Sequence, residues 1–179
     1  MQELIKKHYS RATLEQIQEG TTWYERAHNE AKLLSQVFDI PLPKVVGVIS
    51  ALSPNNKWKR NLHDAWNLLE TPCITTKCCT FTKQRQKALD ILNGSGREAE
   101  ILSILKGTKT LTFFTNILYY SDSQSVTVDM WAYRSVNVEP KQKYYKQVQQ
   151  AYQNVAKELN LIPHQLQAVV WGVVRGSAV

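Results

Sequence analysis

The sequence holds no run of about 18 apolar residues, the length a membrane-crossing helix needs, so no segment is laid out to span a bilayer and no membrane partner is expected. Its opening stretch, MQELIKKHYSRATLEQIQEG, has no apolar core followed by small residues, and no secretory signal is expected. Cysteine is scarce and odd in number, with only Cys73, Cys78 and Cys79. In a protein expected to be intracellular, that count argues against structural disulfides. It also falls short of the four cysteines that an iron–sulfur cluster takes. No histidine pair stands at metal-ligand spacing near them, so no metal and no cofactor is expected. Internal repeats, low-complexity segments and the alternating pattern of a β-hairpin are missing too.

What is present is positive charge. The formal net charge is +7 and the isoelectric point about 9.3. The basic residues gather at Lys57, Lys59 and Arg60, at Lys83, Arg85 and Lys87, and at Lys141, Lys143 and Lys146, with Trp58, Tyr144 and Tyr145 among them. Clustered lysines at such a charge fit a binder of the phosphate backbone, and they equally fit the solvated faces of an ordinary basic protein. The remaining composition, 43% hydrophobic and 21% charged over 179 residues, is that of a globular domain. Residues 1–179 fit one domain, or two small lobes sharing a core.

The apolar periodicity is helical nearly throughout. Ala27, Ala31, Leu34 and Phe38 mark one face over residues 24–38, after which Pro41 and Pro43 break the chain. The stretch KVVGVISAL, residues 44–52, is apolar all round, and its length does not separate a buried strand from a buried helix. Trp58, Leu62, Ala65, Trp66 and Leu69 line a predicted amphipathic helix, with Trp66 expected in the core. A cysteine-bearing loop follows, then a helix over 81–92 closed by Asn93-Gly94 and a short one over 97–105 closed by Gly107. After the apolar residues 111–120 comes a polar turn at 121–125. Tyr144, Val148, Ala151, Tyr152, Val155 and Leu159 predict the longest clean helix, and Pro163 stands where a first-turn proline opens the last one. The prediction is an all-α domain of roughly eight to ten helices.

Two segments carry the chemistry: LKGTKTLTFFTNIL, residues 105–118, and VTVDMWAYR, residues 126–134. Their order, a helix, a glycine turn, a second helix and then an aspartate at a helix start, resembles the helix-hairpin-helix DNA glycosylase superfamily of endonuclease III type. That family's hairpin reads L-P-G-V-G-x-K-T-A and its acid segment V-D-T-H-V-x-R. Leu105, Gly107, Lys109 and Thr110 follow the first pattern, and Val128, Asp129 and Arg134 the second. The upstream VVGVISALSPNNKWKRNLHDAWNLL is similar to the family's first core helix, its L-L-S-A-Q-T turn and the helix after it; it also resembles small phage-encoded proteins with an A-L-S-P…W…N pattern. The likeness covers residues 45–134, about half the chain. The second hairpin glycine is missing, the spacing from Lys109 to Asp129 is longer, and the family's cluster-binding cysteine segment is absent.

The resemblance implies an all-α fold of helix-hairpin-helix type, DNA or a nucleotide as partner, and cleavage of an N-glycosidic bond. It further implies a cytoplasmic, DNA-associated protein of a prokaryotic or phage-infected cell. Asp129 would be the catalytic carboxylate, because bond cleavage passes through an oxocarbenium-like sugar that a fixed negative charge stabilises, and the same group can orient or deprotonate water. The plain alternative is an ordinary helix-start acid. Lys109 would be a candidate Schiff-base nucleophile for strand cutting, or simply a lysine meeting phosphate. Lys106, Gly107 and Thr108 would lie against the backbone in the hairpin, and Lys57, Lys59 and Arg60 add a second basic strip. Ser53, Asn55 and Asn61 stand where the family reads or wedges DNA, while capping of the Trp58 helix serves Ser53 and Asn55 equally well. Trp23, Tyr24, Trp131 and Trp171 are candidate stacking faces for a base, and Arg134 and Arg175 candidate partners of phosphate or of Asp129. Two other activities fit the same outline: a phage base-modifying transferase of this superfamily, and a non-catalytic DNA-binding or inhibitory protein.

Overall fold

The computed structural model describes residues 1–176. Ten α-helices and one 3-10 turn carry these residues, with no strand among them, so the fold is all-α. In chain order the helices are α1 (Gln2–Tyr9), α2 (Leu14–Phe38), α3 (Leu42–Leu52), α4 (Trp58–Glu70), α5 (Thr82–Asn93), α6 (Glu98–Leu105), α7 (Thr108–Leu118), α8 (Met130–Ser135), α9 (Tyr145–Glu158) and α10 (Pro163–Arg175). None is long and apolar enough by itself to cross a membrane. Two compact units emerge: Met1–Arg26 with Thr115–Val179, hereafter the terminal unit, and Ala27–Phe114, the central unit.

The central unit is built round α3. Pro43 in its first turn costs no hydrogen bond there, and every residue from Val45 to Leu52 is buried. That complete burial is why periodicity alone left this segment open between strand and helix. It packs on α4, α5 and α6, and Ala65, Leu68, Ala88, Ile91, Ile101 and Leu105 close over it. On α4 the inward face differs from the one the apolar pattern predicts. Asn61 and Asp64 turn inward with Ala65 and Leu68, and Trp66 is 40% exposed rather than core, its ring edge-on to Phe38 at 4.9 Å. Two polar side chains with partners inside fix that rotation: the Asn61 amide donates to the Ile49 carbonyl at 3.0 Å, and Asp64 accepts from the Asn56 amide and the Cys79 backbone N–H, both at 2.8 Å. Asp64 thereby ties the cysteine loop to α4, and all three cysteines are free thiols.

In the terminal unit, α1, α8, α9 and α10 pack together over a core of Ile5, Val126, Val128, Tyr133, Val148, Tyr152, Val155, Leu166 and Val170. Helix α2, at 25 residues, is longer than the 14 of α9, contrary to the sequence expectation. It begins ten residues before the range 24–38 that the apolar pattern picked out, at a capping box: the Thr13 hydroxyl accepts from Gln16 N–H at 3.1 Å and the Gln16 amide oxygen from Thr13 N–H at 3.0 Å. On α2, Gly20 lies against the backbone of Val169 on α10, with no room for a side chain.

Candidate active site and nucleic-acid interface

Asp129 ends an irregular strap, residues 121–129, that is held from both sides within the terminal unit. Val126 and Val128 point into the core. Between them the Tyr145 hydroxyl accepts from Val128 N–H and donates to the Val126 carbonyl, each at 3.2 Å. Thr127 faces the other way, its hydroxyl accepting from the Tyr24 phenol at 3.2 Å and from the Asn116 amide at 3.1 Å. Asn116 in turn accepts from the Ser123 hydroxyl at 2.7 Å. A strap whose alternate residues are all anchored presents its last side chain from a rigid base. Asp129 is the N-cap of α8, its Oδ1 accepting from Ala132 N–H at 2.8 Å. Its charge reaches two buried phenols, Tyr24 and Tyr152. Burial pushes both well above the ordinary phenol range, and the Asp129 charge raises them further. The result is a half-buried carboxylate, fixed in direction by its bond to Ala132 N–H.

Several expected site residues have other roles. Tyr24 is 4% exposed, edge-on to Trp23 at 4.7 Å and against His164 at 4.6 Å, so its ring is no stacking face for a base. Asn61 is buried with its amide given to Ile49, out of reach of a base edge. Neither Ser53 nor Asn55 caps α4, whose N-cap is Lys57 without a side-chain bond. The Ser53 hydroxyl instead donates to the Ser50 carbonyl at 2.9 Å, and Asn55 takes the left-handed conformation at φ 57°. Trp131 and Trp171 are half-buried, and each lies beneath an arginine: the Arg134 guanidinium is 4.7 Å from the Trp131 ring centre and that of Arg175 4.9 Å from Trp171. Neither arginine pairs with a carboxylate among the described residues, Asp129 included.

Lys57, Lys59, Arg60, Lys106, Gly107, Thr108 and Lys109 all belong to the central unit and, all seven, are exposed. Arg60 sits 3.8 Å from buried Asp64. Between α6 and α7 only Lys106 and Gly107 intervene, and the left-handed residue is Lys106, at φ 58° and ψ −35°, rather than the glycine. Gly107 N–H donates back to the Leu105 carbonyl at 2.7 Å, which makes Lys106 the centre of a γ-turn of the rare, strained hand. The Lys87 ammonium reaches the same carbonyl at 2.7 Å. Its pKa is lowered by burial first and then by the charges of Lys83 and Lys106. Sequence reasoning noted Lys83 and Lys87 as a basic cluster but had no means of placing them on this turn. No group of three His, Cys, Asp or Glu side chains among the described residues is placed to hold a metal ion.

His164, to which the sequence assigned no role, is buried. Its Nε2 lies 2.8 Å from the Tyr120 carbonyl, and since a carbonyl only accepts, Nε2 carries the proton and Nδ1 is a bare acceptor without a partner. Burial pushes the imidazole down to about 4. The unfolded chain takes up this proton near the ordinary value of about 6.5, so unfolding binds a proton between those two pH values. Stability is therefore full above about pH 6.5 and falls as the pH drops toward 4, by up to about 3 kcal/mol from this group. Urea unfolding between pH 4 and 7 should show this slope in the wild type and its loss in His164→Gln; parallel slopes in the two proteins would remove His164 as the cause.

The model of one family, described as a family of unknown function (DUF7178), matches residues 1–178. The chain belongs to the DUF7178 family. No curated protein and no solved structure matches it. What this DUF7178 chain does must therefore be argued from its own pinned carboxylate and crowded lysines.

Proposed function

We propose that the protein is a DNA-binding enzyme of glycosylase type. It grips backbone phosphate through the lysines at the α6–α7 turn and cleaves an N-glycosidic bond with Asp129 as the charge-stabilising carboxylate. The observation that carries this reading is the Lys87 ammonium bonded to the Leu105 carbonyl at 2.7 Å, beside Lys106, with Lys83 one helical turn away along α5 and its charge also felt there. Three like charges held together destabilise the unit that holds them, and a polyanion offsets that repulsion. Lys106 adds to the argument, since a glycine would take its backbone conformation without strain yet offer no charge. Asp129 supports the chemical half, as a carboxylate held on a rigid strap is already oriented before a positive charge develops. One observation favours a second reading, a non-catalytic DNA-binding protein: the bond from Ala132 N–H to Asp129 is reason enough for an aspartate at that position.

Two measurements test the proposal. Incubation with duplexes carrying modified bases should release free base, detected by mass spectrometry. Binding without release supports the second reading. Replacing Lys83 and Lys106 together by Gln should lower the slope of log affinity against log salt by about 2. An unchanged slope would show that this turn does not meet phosphate.

A further inference from the structure

We propose that the terminal unit binds an unpaired DNA strand, with bases stacking on the Arg134–Trp131 and Arg175–Trp171 pairs. This rests on the DNA-binding reading above and names the form of DNA it takes. Trp131 and Arg134 are three residues apart on α8, and Trp171 and Arg175 four apart on α10, so each arginine lies one helical turn from its indole. These two helices pack on one another. Both arginines are exposed at the surface, and the central carbon of each guanidinium stands over an indole ring, 4.7 and 4.9 Å from its centre. A surface arginine in a chain with 15 acidic residues has carboxylates to choose from, yet neither guanidinium is bound to one among the described residues. Each pair is thus a planar cation at the surface, backed by an indole.

Such a plate offers two things at once: a face on which a base stacks, and donors for the phosphate beside it. A third cation–ring pair, Lys143 over Tyr144 at 4.8 Å, lies in the same unit, and no such pair occurs in the central unit among the described residues. Paired bases in a duplex have both faces covered by their neighbours. Plates that recognise faces therefore select a strand whose bases are unstacked, whereas the lysines of the central unit meet the backbone of either form.

The experiment compares a poly-dT 20-mer with a hairpin duplex of equal phosphate number, by anisotropy at several salt concentrations. The variant is Arg134→Lys with Arg175→Lys, both exposed positions. It keeps both charges, so the salt slope should stay unchanged, but it loses the plates. Single-strand affinity should fall roughly tenfold while duplex affinity holds. A single-strand preference in the wild type that survives this double substitution would overturn the assignment of the plates. Equal affinity for both forms in the wild type would overturn the inference and leave the DNA-binding reading in place. If neither form binds, the reading and the inference fall together.

Discussion

Gly20→Ala is expected to destabilise the terminal unit strongly. A Cβ at Gly20 would stand 2.5 Å from Val169 Cγ2 and 2.6 Å from both the Cα and the N of Val169. Backbone atoms have no rotamer to turn into, so α2 and α10 must separate or one must bend. Alanine does favour a helix over glycine by about 1 kcal/mol, but overpacking against a fixed backbone costs about 3 kcal/mol or more, and the second effect wins. For a chain of this length that corresponds to a fall in Tm on the order of 10 °C. Gly47 is the internal control. A Cβ there would meet Ile101 Cγ2 at 2.9 Å and Ile91 Cγ2 at 3.0 Å, the ends of side chains that can move. Gly47→Ala should lose less than half as much. Calorimetry on both variants decides it, and a Gly20→Ala protein melting within a few degrees of the wild type would mean that this helix contact is looser than described.

The contrast between these glycines also marks where sequence reading stops. Helical content was legible because the three- and four-residue periodicity is local; Val148, Ala151, Tyr152 and Val155 face inward on α9 as their spacing says. The start of α2 was missed, because apolar spacing passes over it, although the capping pattern Thr13-Leu14-Glu15-Gln16 marks it. The rotation of α4 was not. It depends on the Ile49 carbonyl meeting Asn61 and on a loop amide meeting Asp64, contacts that an apolar count reads in the wrong direction. Asp129 could be singled out because one acid separates an apolar strap from a helix start. Its surroundings could not, since Tyr24 reaches Thr127 across 103 positions and Tyr145 reaches Val128 across 17. Lys87 and Lys106 show the same limit: each was visible as a charge, and only folding brings the Lys87 ammonium from α5 to the turn that holds Lys106. The arginine–tryptophan pairs lie within one helical turn, but spacing shows adjacency and not that the guanidinium stands over the ring.

If Asp129 is the catalytic carboxylate proposed above, Asp129→Asn should cut turnover steeply and leave the protein standing. Asparagine keeps the size of the side chain and an oxygen for Ala132 N–H, and it caps a helix about as well as aspartate. Only the charge goes. The cost through the first turn of α8 is about 1 kcal/mol at most. If the carboxylate stabilises an oxocarbenium-like sugar and draws a proton from water, losing its charge should lower turnover at least about a hundredfold. DNA affinity should hold or tighten, because a negative charge near phosphate has been removed. Asp129→Ala separates the two roles. It removes cap and charge together, so Tm should drop by a few degrees, as about 1 kcal/mol implies for a chain of this size. In the catalytic reading both variants are equally inactive while only the alanine is destabilised. In the capping reading activity follows stability, the asparagine variant behaves as wild type, and Asp129 serves the fold rather than the chemistry.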